Sequence, residues 1–379
     1  MRRLPDWRED HLRRWVVREL KEAGFHYRRG RVIPPDVTKE GIRRLHLRQR
    51  VSLLTRAWPF IEEWEDLLIK SFAEGTEVFP DEINPEVVQV ETKEQAALFR
   101  YASLQWSVPV SQGYGRRTRF LVMDRSNDKL IGIFALGDPV FNLRARDSVI
   151  GWDHKQRSNR LYNVLDAYVC GAVSPYRELI GGKLVAMAAT SDAALDLIAK
   201  KYRGNVTVIR KQLKSARPVL ITTTSSLGRS SIYNRLRFQG RLLYQPVGWT
   251  EGYGHFQFSE ELFDALVDFA RTRGELRGNR YGCGPNWRMR TLRVALTKLE
   301  LDDQLVRHGI KRQVFLAPVA KNWKEYLRGE RKVGRWYHND LAEIAAHYRD
   351  RWGVPRAWRN PTYLSVERDT LRLSNELAK

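Results

Sequence analysis

Cysteine is almost missing from this chain of 379 residues, with Cys170 and Cys283 the two present. That scarcity excludes a disulfide scaffold and a four-cysteine zinc site. No stretch of about eighteen apolar residues occurs, so no membrane-spanning helix is expected. The opening MRRLPDWRED is charged at once and lacks the apolar core of a secretory leader. HExxH and CxxC are both missing, and His338 and His347 stand nine apart, without metal-ligand spacing. Acidic residues are few beside basic ones, 44 against 66, which gives a formal charge of +22. Core-forming residues are not scarce: 42% of the chain is hydrophobic and 11% aromatic, which excludes disorder throughout. The expectation is a cytoplasmic protein of two to three domains, free of membrane, with an anionic partner.

The basic excess is unevenly placed. Residues 1–50 carry 15 basic and 7 acidic side chains, whereas residues 51–100 carry 4 and 11. The stretch 271–338 holds 17 basic against 6 acidic. A field of that kind concentrates a polyanion, and counterion release from phosphates would supply affinity without regard to sequence. Nucleic acid, DNA above all, is the expected partner; a solvated basic surface with no partner is the plainer alternative.

Periodicity divides the chain into three parts. Residues 1–94 read as a helical region, a basic arm followed by an acidic segment, with Trp15, Val16, Leu20 and then Leu45, Val51, Leu54 at helical spacing. Pro80 and Pro85 break the acidic segment before a helix near residues 95–104. Residues 95–260 read as an α/β core. Two apolar runs, 119–124 and 129–136, flank the polar turn Arg125-Ser-Asn-Asp128 and predict a hairpin. Strands are expected at 162–173, 219–224 and 242–258, and a helix at 180–189. A further helix should open at 228–236, capped by Ser230 or Ser231. Residues 261–379 read as a basic helical region, with Leu292, Leu296 and Leu299 on one face, a helix at 341–352 and a loosely ordered last twenty residues.

Four constellations could carry chemistry. Gly282, Gly284, Pro285 and Asn286 open a helix bearing Arg288, Arg290 and Arg293. Free N–H groups at such a helix start favour phosphate, arginine forks add bidentate contacts, and Trp287 could stack a base. The plainer reading is a capped amphipathic helix with Trp287 in the core. Asp147 and Asp153 lie six apart in an expected loop and could hold Mg²⁺, or could pair with nearby arginines. Thr222, Thr223, Thr224 and Ser225 lead toward Arg229, Ser230, Ser231 and Tyr233, so that hydroxyls and a phenolic proton donor gather at a strand end, or Tyr233 simply packs on the sheet. Glu251, Tyr253 and His255 alternate; on one strand face the acid and the histidine could act as a pair, or form a plain polar face.

These stretches carry a resemblance. The run from Gly137 through Asp147 to Trp152 is similar to the DruA-like family of Druantia anti-phage proteins. So are Asp166-Ala-Tyr-Val-Cys-Gly-Ala-Val173, Gly181-Gly-Lys-Leu184 and Ile221-Thr-Thr-Thr-Ser-Ser-Leu-Gly-Arg-Ser-Ser-Ile-Tyr233. Tyr281-Gly-Cys-Gly-Pro-Asn-Trp-Arg288 and Arg307-His-Gly-Ile-Lys311-Arg312 resemble it too, and the likeness spans roughly residues 95–355. It implies anti-phage defence, a DNA-directed role to which Lys311 and Arg312 would contribute, and other defence-system proteins as partners.

The expected strand order also resembles a GNAT acyltransferase core, shared with DNA-modifying proteins of the Mom type. The expected fold class is therefore α+β, a central GNAT-like mixed sheet between basic helical N- and C-terminal regions. That analogy implies an acyl-CoA donor held near Arg177, Gly181 and Gly182. The acyltransferase phosphate loop reads Gln/Arg-x-x-Gly-x-Gly/Ala; Arg177 and Gly182 fit its ends, and Ile180 stands where the first glycine belongs. Tyr233 sits where such enzymes often keep their general acid. Three function classes follow: a nucleic-acid modifying transferase using Tyr233, with Thr223, Glu251 and His255 as further catalytic candidates; a metal-dependent nuclease or nickase, or transposition-related protein, using Asp147, Asp153 or Asp166; and a DNA sensor without chemistry.

Overall fold

The computed structural model describes residues 7–28, 31–34, 36–110, 115–206, 216–273 and 286–377. In chain order it opens with α1 (Trp7–Glu22), the hairpin β1 (His26–Arg28) and β2 (Arg31–Ile33), then α2 (Lys39–Leu45) and α3 (Leu47–Leu68). Next come β3 (Pro85–Gln89), α4 (Lys93–Leu104), β4 (Arg117–Asp124), β5 (Lys129–Gly137), α5 (Arg144–Ile150) and α6 (His154–Arg160). The centre holds β6 (Val164–Ala172), α7 (Gly181–Ala188), α8 (Asp192–Lys201) and β7 (Leu220–Thr224), then β8 (Arg237–Phe238), β9 (Arg241–Leu242) and β10 (Gln245–Trp249). Helices α9 (Glu260–Thr272) and α10 (Asn286–Lys298) precede β11 (Gln313–Pro318) and α11 (Trp323–Leu327). Three further helices follow: α12 (Leu341–Tyr348), α13 (Val354–Arg359) and α14 (Ser374–Leu377). Among the described residues no helix is long and apolar enough to cross a membrane.

The fold is α+β around a seven-stranded mixed sheet in the order β10-β11-β7-β6-β5-β4-β3. Every neighbouring pair is antiparallel except β6 and β7, which run parallel. The β4–β5 turn forms because Asp124 and Asn127 accept backbone N–H groups from Ser126 and Lys129, two residues on in each case. Both faces of the sheet are covered, which explains the continuous apolar run of β5. Phe120, Val122, Ile131 and Phe134 join one core with Leu184 and Met187 of α7 and Ile344 of α12. Leu121, Leu130, Ile133 and Ala135 join another with Leu54 and Ile61 of α3 and Leu98 of α4. A third core unites α1, α9 and α10 through residues such as Val16, Leu266 and Leu296. Glu19 ties its first two helices together by accepting from Ser259 N at 2.7 Å.

Several expectations need correction. Residues 228–236 form turns rather than a helix. Ser230 Oγ does accept from Ile232 N and Tyr233 N, both at 3.0 Å. Helix growth stops because Lys183 Nζ donates to the carbonyls of Ile232 and Asn234, and because Arg235 adopts φ +60°. The strand expected over 242–258 ends at Trp249; Gly252, at φ +73°, turns the chain away, so Glu251, Tyr253 and His255 share no strand face. The 341–352 helix does not stop before Gly353 but passes through a π-turn into α13, where Pro355 sits in the first turn and loses no needed N–H. Within the described part of the last twenty residues the chain is held: Leu373 is buried and its N–H reaches Glu65 Oε1 at 2.6 Å. Two features went unread, the β1–β2 hairpin and β3, whose Pro85 is tolerated as the first residue of an edge strand. The sheet draws β3 from the expected N-terminal segment and β11 from the C-terminal one.

Candidate functional site

The parallel pair β6–β7 is short. Val164 faces Leu220, Leu165 faces Ile221 and Asp166 faces Thr222; beyond them β6 runs on for six residues paired to β5 alone. Where the strands part, a cleft of about 270 Å³ opens. Its walls include Trp106, Val108 and Val110 after α4, Asp166 to Cys170 of β6, and the hydroxyl-rich segment from Thr223 to Tyr233. Gly171 allows the Trp106 indole onto the strand, since a Cβ there would lie 2.9 Å from its ring.

Tyr233 is buried on the floor, stacked on Tyr244 at 4.8 Å and tilted against Phe315 at 5.3 Å. Its hydroxyl lies 3.5 Å from Thr223 Oγ1, which itself donates to Ala167 O at 2.9 Å across the parting strands. Burial, reinforced by Cys170 and Tyr244, raises the phenol well above its ordinary value, so it stays protonated. Burial likewise pushes the Cys170 thiol up to about 12, which removes it as a nucleophile. Asp166 is raised by burial against the opposing pull of Thr222, Arg146 and Arg117. A carboxyl raised in this way, at the fork of the cleft, is a proton-transfer candidate.

Three cations also line the cleft: Lys39 at the start of α2, Arg229 and Arg312. Arg312 Nη2 lies 3.4 Å from His46 Nε2, and its buried Nε has no hydrogen-bond partner. Asp166 is the one acid among the described lining residues.

The other predicted catalytic residues lie elsewhere. Asp147 is a half-buried anchor in α5, not a loop residue. It accepts from Arg146 Nε at 2.8 Å, Trp152 Nε1 at 3.1 Å, Leu143 N at 3.0 Å and Arg157 Nη1 at 3.1 Å. Burial opposes its charge, but Arg146, Leu143 and Trp152 outweigh it and hold the carboxyl below its ordinary value. Asp153 caps α6 by accepting from Gln156 N at 2.7 Å. These carboxylates are spent on the protein, and among the described residues no group of three His, Cys, Asp or Glu gathers as Mg²⁺ would need. Glu251 pairs with Arg144 and Arg307, whereas His255 packs toward Phe263 and is pushed down to about 4 by burial and then by Arg288. They have different partners and do not form an acid/base pair.

The implied coenzyme A cradle is closed. Gly181 N donates to Tyr176 O at 2.8 Å, and a Cβ on Gly182 would lie 3.2 Å from Ile232. Ile180 occupies the left-handed region at φ +62°, and exposed Arg177 turns to Ser174 and Glu178. These residues do not fit a diphosphate.

In the expected nucleic-acid helix, Gly282, Gly284 and Pro285 lie outside the described residues, and α10 begins at Asn286. Arg288 makes a forked pair with Glu260, at 2.9 and 3.0 Å, and covers Phe263. Trp287 is half-buried against the third core, 5.7 Å from Phe263. Arg290 and Arg293 are exposed, as is Lys311. Arg293 and Arg307 both lie over Tyr253, itself 42% exposed, with centroid distances of 5.5 and 4.9 Å.

The sequence profile described as "DruA: Druantia protein DruA" matches residues 36–329. The chain belongs to this family. It is also similar to the Druantia protein DruA of Escherichia coli (strain UMEA 4076-1), at 45% identity over 361 residues, covering 94% of this chain and 89% of that one. No solved structure matches. Membership of the DruA family supports the anti-phage defence that the resemblance implies.

Lys39, Trp106 and Arg229 went unread as site residues. Arg229 lay within a quoted motif, but Lys39 and Trp106 reach the cleft only through the tertiary fold.

Proposed function

We propose that this protein engages DNA in anti-phage defence, together with other Druantia components, and that its GNAT-like core presents the β6–β7 cleft to a nucleotide. The single observation carrying this reading is the parting of the one parallel strand pair at Asp166 and Thr222. It opens a cleft with two proton-transfer candidates, Asp166 and Tyr233, beneath the cations Lys39, Arg229 and Arg312. Numbering the sheet strands in chain order gives 1-2-3-4-5-7-6, with the parallel pair at 4 and 5. That order supports the GNAT-like reading of the core. The closed cradle at Gly181 and Gly182 argues against coenzyme A as donor, so no step is routed through it. DNA would lie along the accessible Arg290, Arg293 and Arg307, with Tyr253 available for stacking.

The test is nucleoside mass analysis of phage DNA recovered from cells carrying the complete system, with this protein native or as Tyr233→Phe. A new nucleoside mass, lost in the variant, is the expected outcome. The burial of Tyr233 between Tyr244 and Phe315 favours a second reading, a sensor without chemistry; unaltered nucleosides alongside intact DNA binding would select it.

A further inference from the structure

The β6–β7 cleft contains a cation without a counter-charge. Arg312 has no acidic partner among the described residues, and its Nε is buried without an acceptor. An unmet donor of this kind costs free energy unless a ligand or water meets it. Its ring neighbours cannot neutralise it. His46 presents Nε2 toward the guanidinium while its Nδ1 contacts Gln49 at 3.1 Å. His308 accepts from Ile310 N through Nδ1, which leaves it a neutral imidazole. Lys39 and Arg229 stand on the same cleft, also without ion pairs among the described residues, and the hydroxyl-rich turn around Ser230 faces them. Trp106, half-buried in the same lining and set near Gly171 of β6, offers an aromatic ring.

We infer that the cleft binds one nucleotide, its phosphate on Arg312 and Arg229 and its base against Trp106. The chemistry follows from the parts. A planar guanidinium takes two phosphate oxygens at once, and serine hydroxyls can donate to the remaining ones. A stacked aromatic accepts any base, so the site distinguishes a nucleotide from a nucleoside rather than one base from another. A cleft of this volume holds a single nucleotide, presented either free or by a strand end. The inference deepens the DNA reading, since it names what enters the cleft, but it stands or falls on different residues.

The experiment titrates the full-length protein with 2′-deoxyadenosine 5′-monophosphate, with deoxyadenosine and with a 5′-phosphorylated single-stranded tetranucleotide, reading thermal stabilisation and calorimetry. The monophosphate should bind and raise the melting temperature, and deoxyadenosine should bind at least tenfold more weakly. Arg312→Gln should abolish the preference for phosphate, and Arg312→Lys should keep part of it. Exposed Arg229→Gln should weaken monophosphate binding severalfold even if Arg312→Gln fails to fold. Tetranucleotide binding without the monophosphate would assign the phosphate to a strand. The triple variant Arg290→Gln, Arg293→Gln, Arg307→Gln should lose duplex affinity yet keep the monophosphate, which separates the cleft from the DNA surface. Equal binding of nucleoside and nucleotide, binding untouched by the Arg312 and Arg229 substitutions, or no binding of either phosphorylated probe would overturn the inference.

Discussion

Thr222 donates its hydroxyl to Asp166 at 2.7 Å, and these two are the last residues at which β6 and β7 face each other in register. The bond therefore sits at the fork where the sheet opens into the cleft. It joins a threonine on one parting strand to a carboxyl on the other, and that carboxyl's pKa is raised by burial.

Removing that hydroxyl without changing shape is the direct test of its weight. Thr222→Val should destabilise the fold by about 0.5–1.5 kcal/mol, the net worth of one hydrogen bond to a half-buried acceptor. Denaturant unfolding measures this. A loss below about 0.3 kcal/mol would mean that water replaces the hydroxyl and that the fork is not held by this bond.

Tyr233 tests chemistry separately from packing. Tyr233→Phe keeps the ring stacked on Tyr244 and deletes the hydroxyl beside Thr223. A general acid at this position predicts a loss of about 10²–10⁴ in modification activity. Stability should change by only about 0.5–1.5 kcal/mol, and DNA affinity not at all. A fully active variant returns the residue to packing.

The β4–β5 hairpin and the α7 helix are legible in the sequence because their signals are local: apolar runs, an Asx-rich turn, helical spacing. The cleft is legible only in part. Thr223 and Tyr233 lie in one motif, but Lys39, Trp106 and Arg312 come from three distant segments that the sheet brings together. The misread residues share a cause. Arg288, Asp147 and Trp287 have the right chemistry for a site, yet each is engaged by a partner the fold brings up: Glu260, Arg157 and Phe263 respectively. Spacing cannot reveal whether a charge is already paired. The helix expected at 228–236 fails for a similar reason, since Lys183 takes its carbonyls from across the core.

DNA binding should depend on exposed Arg290 and Arg293 and half-exposed Arg307 rather than on the arginine locked to Glu260. Replacing Arg290, Arg293 and Arg307 together by Gln should weaken duplex binding and flatten its salt dependence, by about 0.9 in the logarithmic slope for each phosphate no longer neutralised. Arg288→Gln should behave differently, lowering stability through the broken pair with Glu260 while leaving that slope intact. Fluorescence anisotropy across a salt series distinguishes the two. An unchanged slope in the triple variant removes this surface from the interface.

Stability should also fall on mild acidification, through buried His46 and His308 and half-buried His255. His46 and His255 are pushed down to about 4 and His308 to about 3, from an ordinary value of 6.5. Burial is the leading cause in each, followed by Gln49 acting in the opposite sense at His46 and by a nearby arginine at the other two: Arg312 at His308 and Arg288 at His255. Between those values the unfolded chain binds protons that the folded chain refuses. The stabilisation is therefore complete above the unfolded value and lost as pH falls from about 6.5 toward 4. Each ring should contribute a slope of about 1.4 kcal/mol per pH unit below 6.5, or about 2 kcal/mol by pH 5. Asp166, raised by burial, opposes this by at most one proton. His308→Asn keeps an acceptor for Ile310 N while deleting one titration, so denaturant unfolding between pH 5 and 6 should show a slope smaller by about one proton. A variant whose slope equals that of the native protein would place the acid sensitivity on other groups.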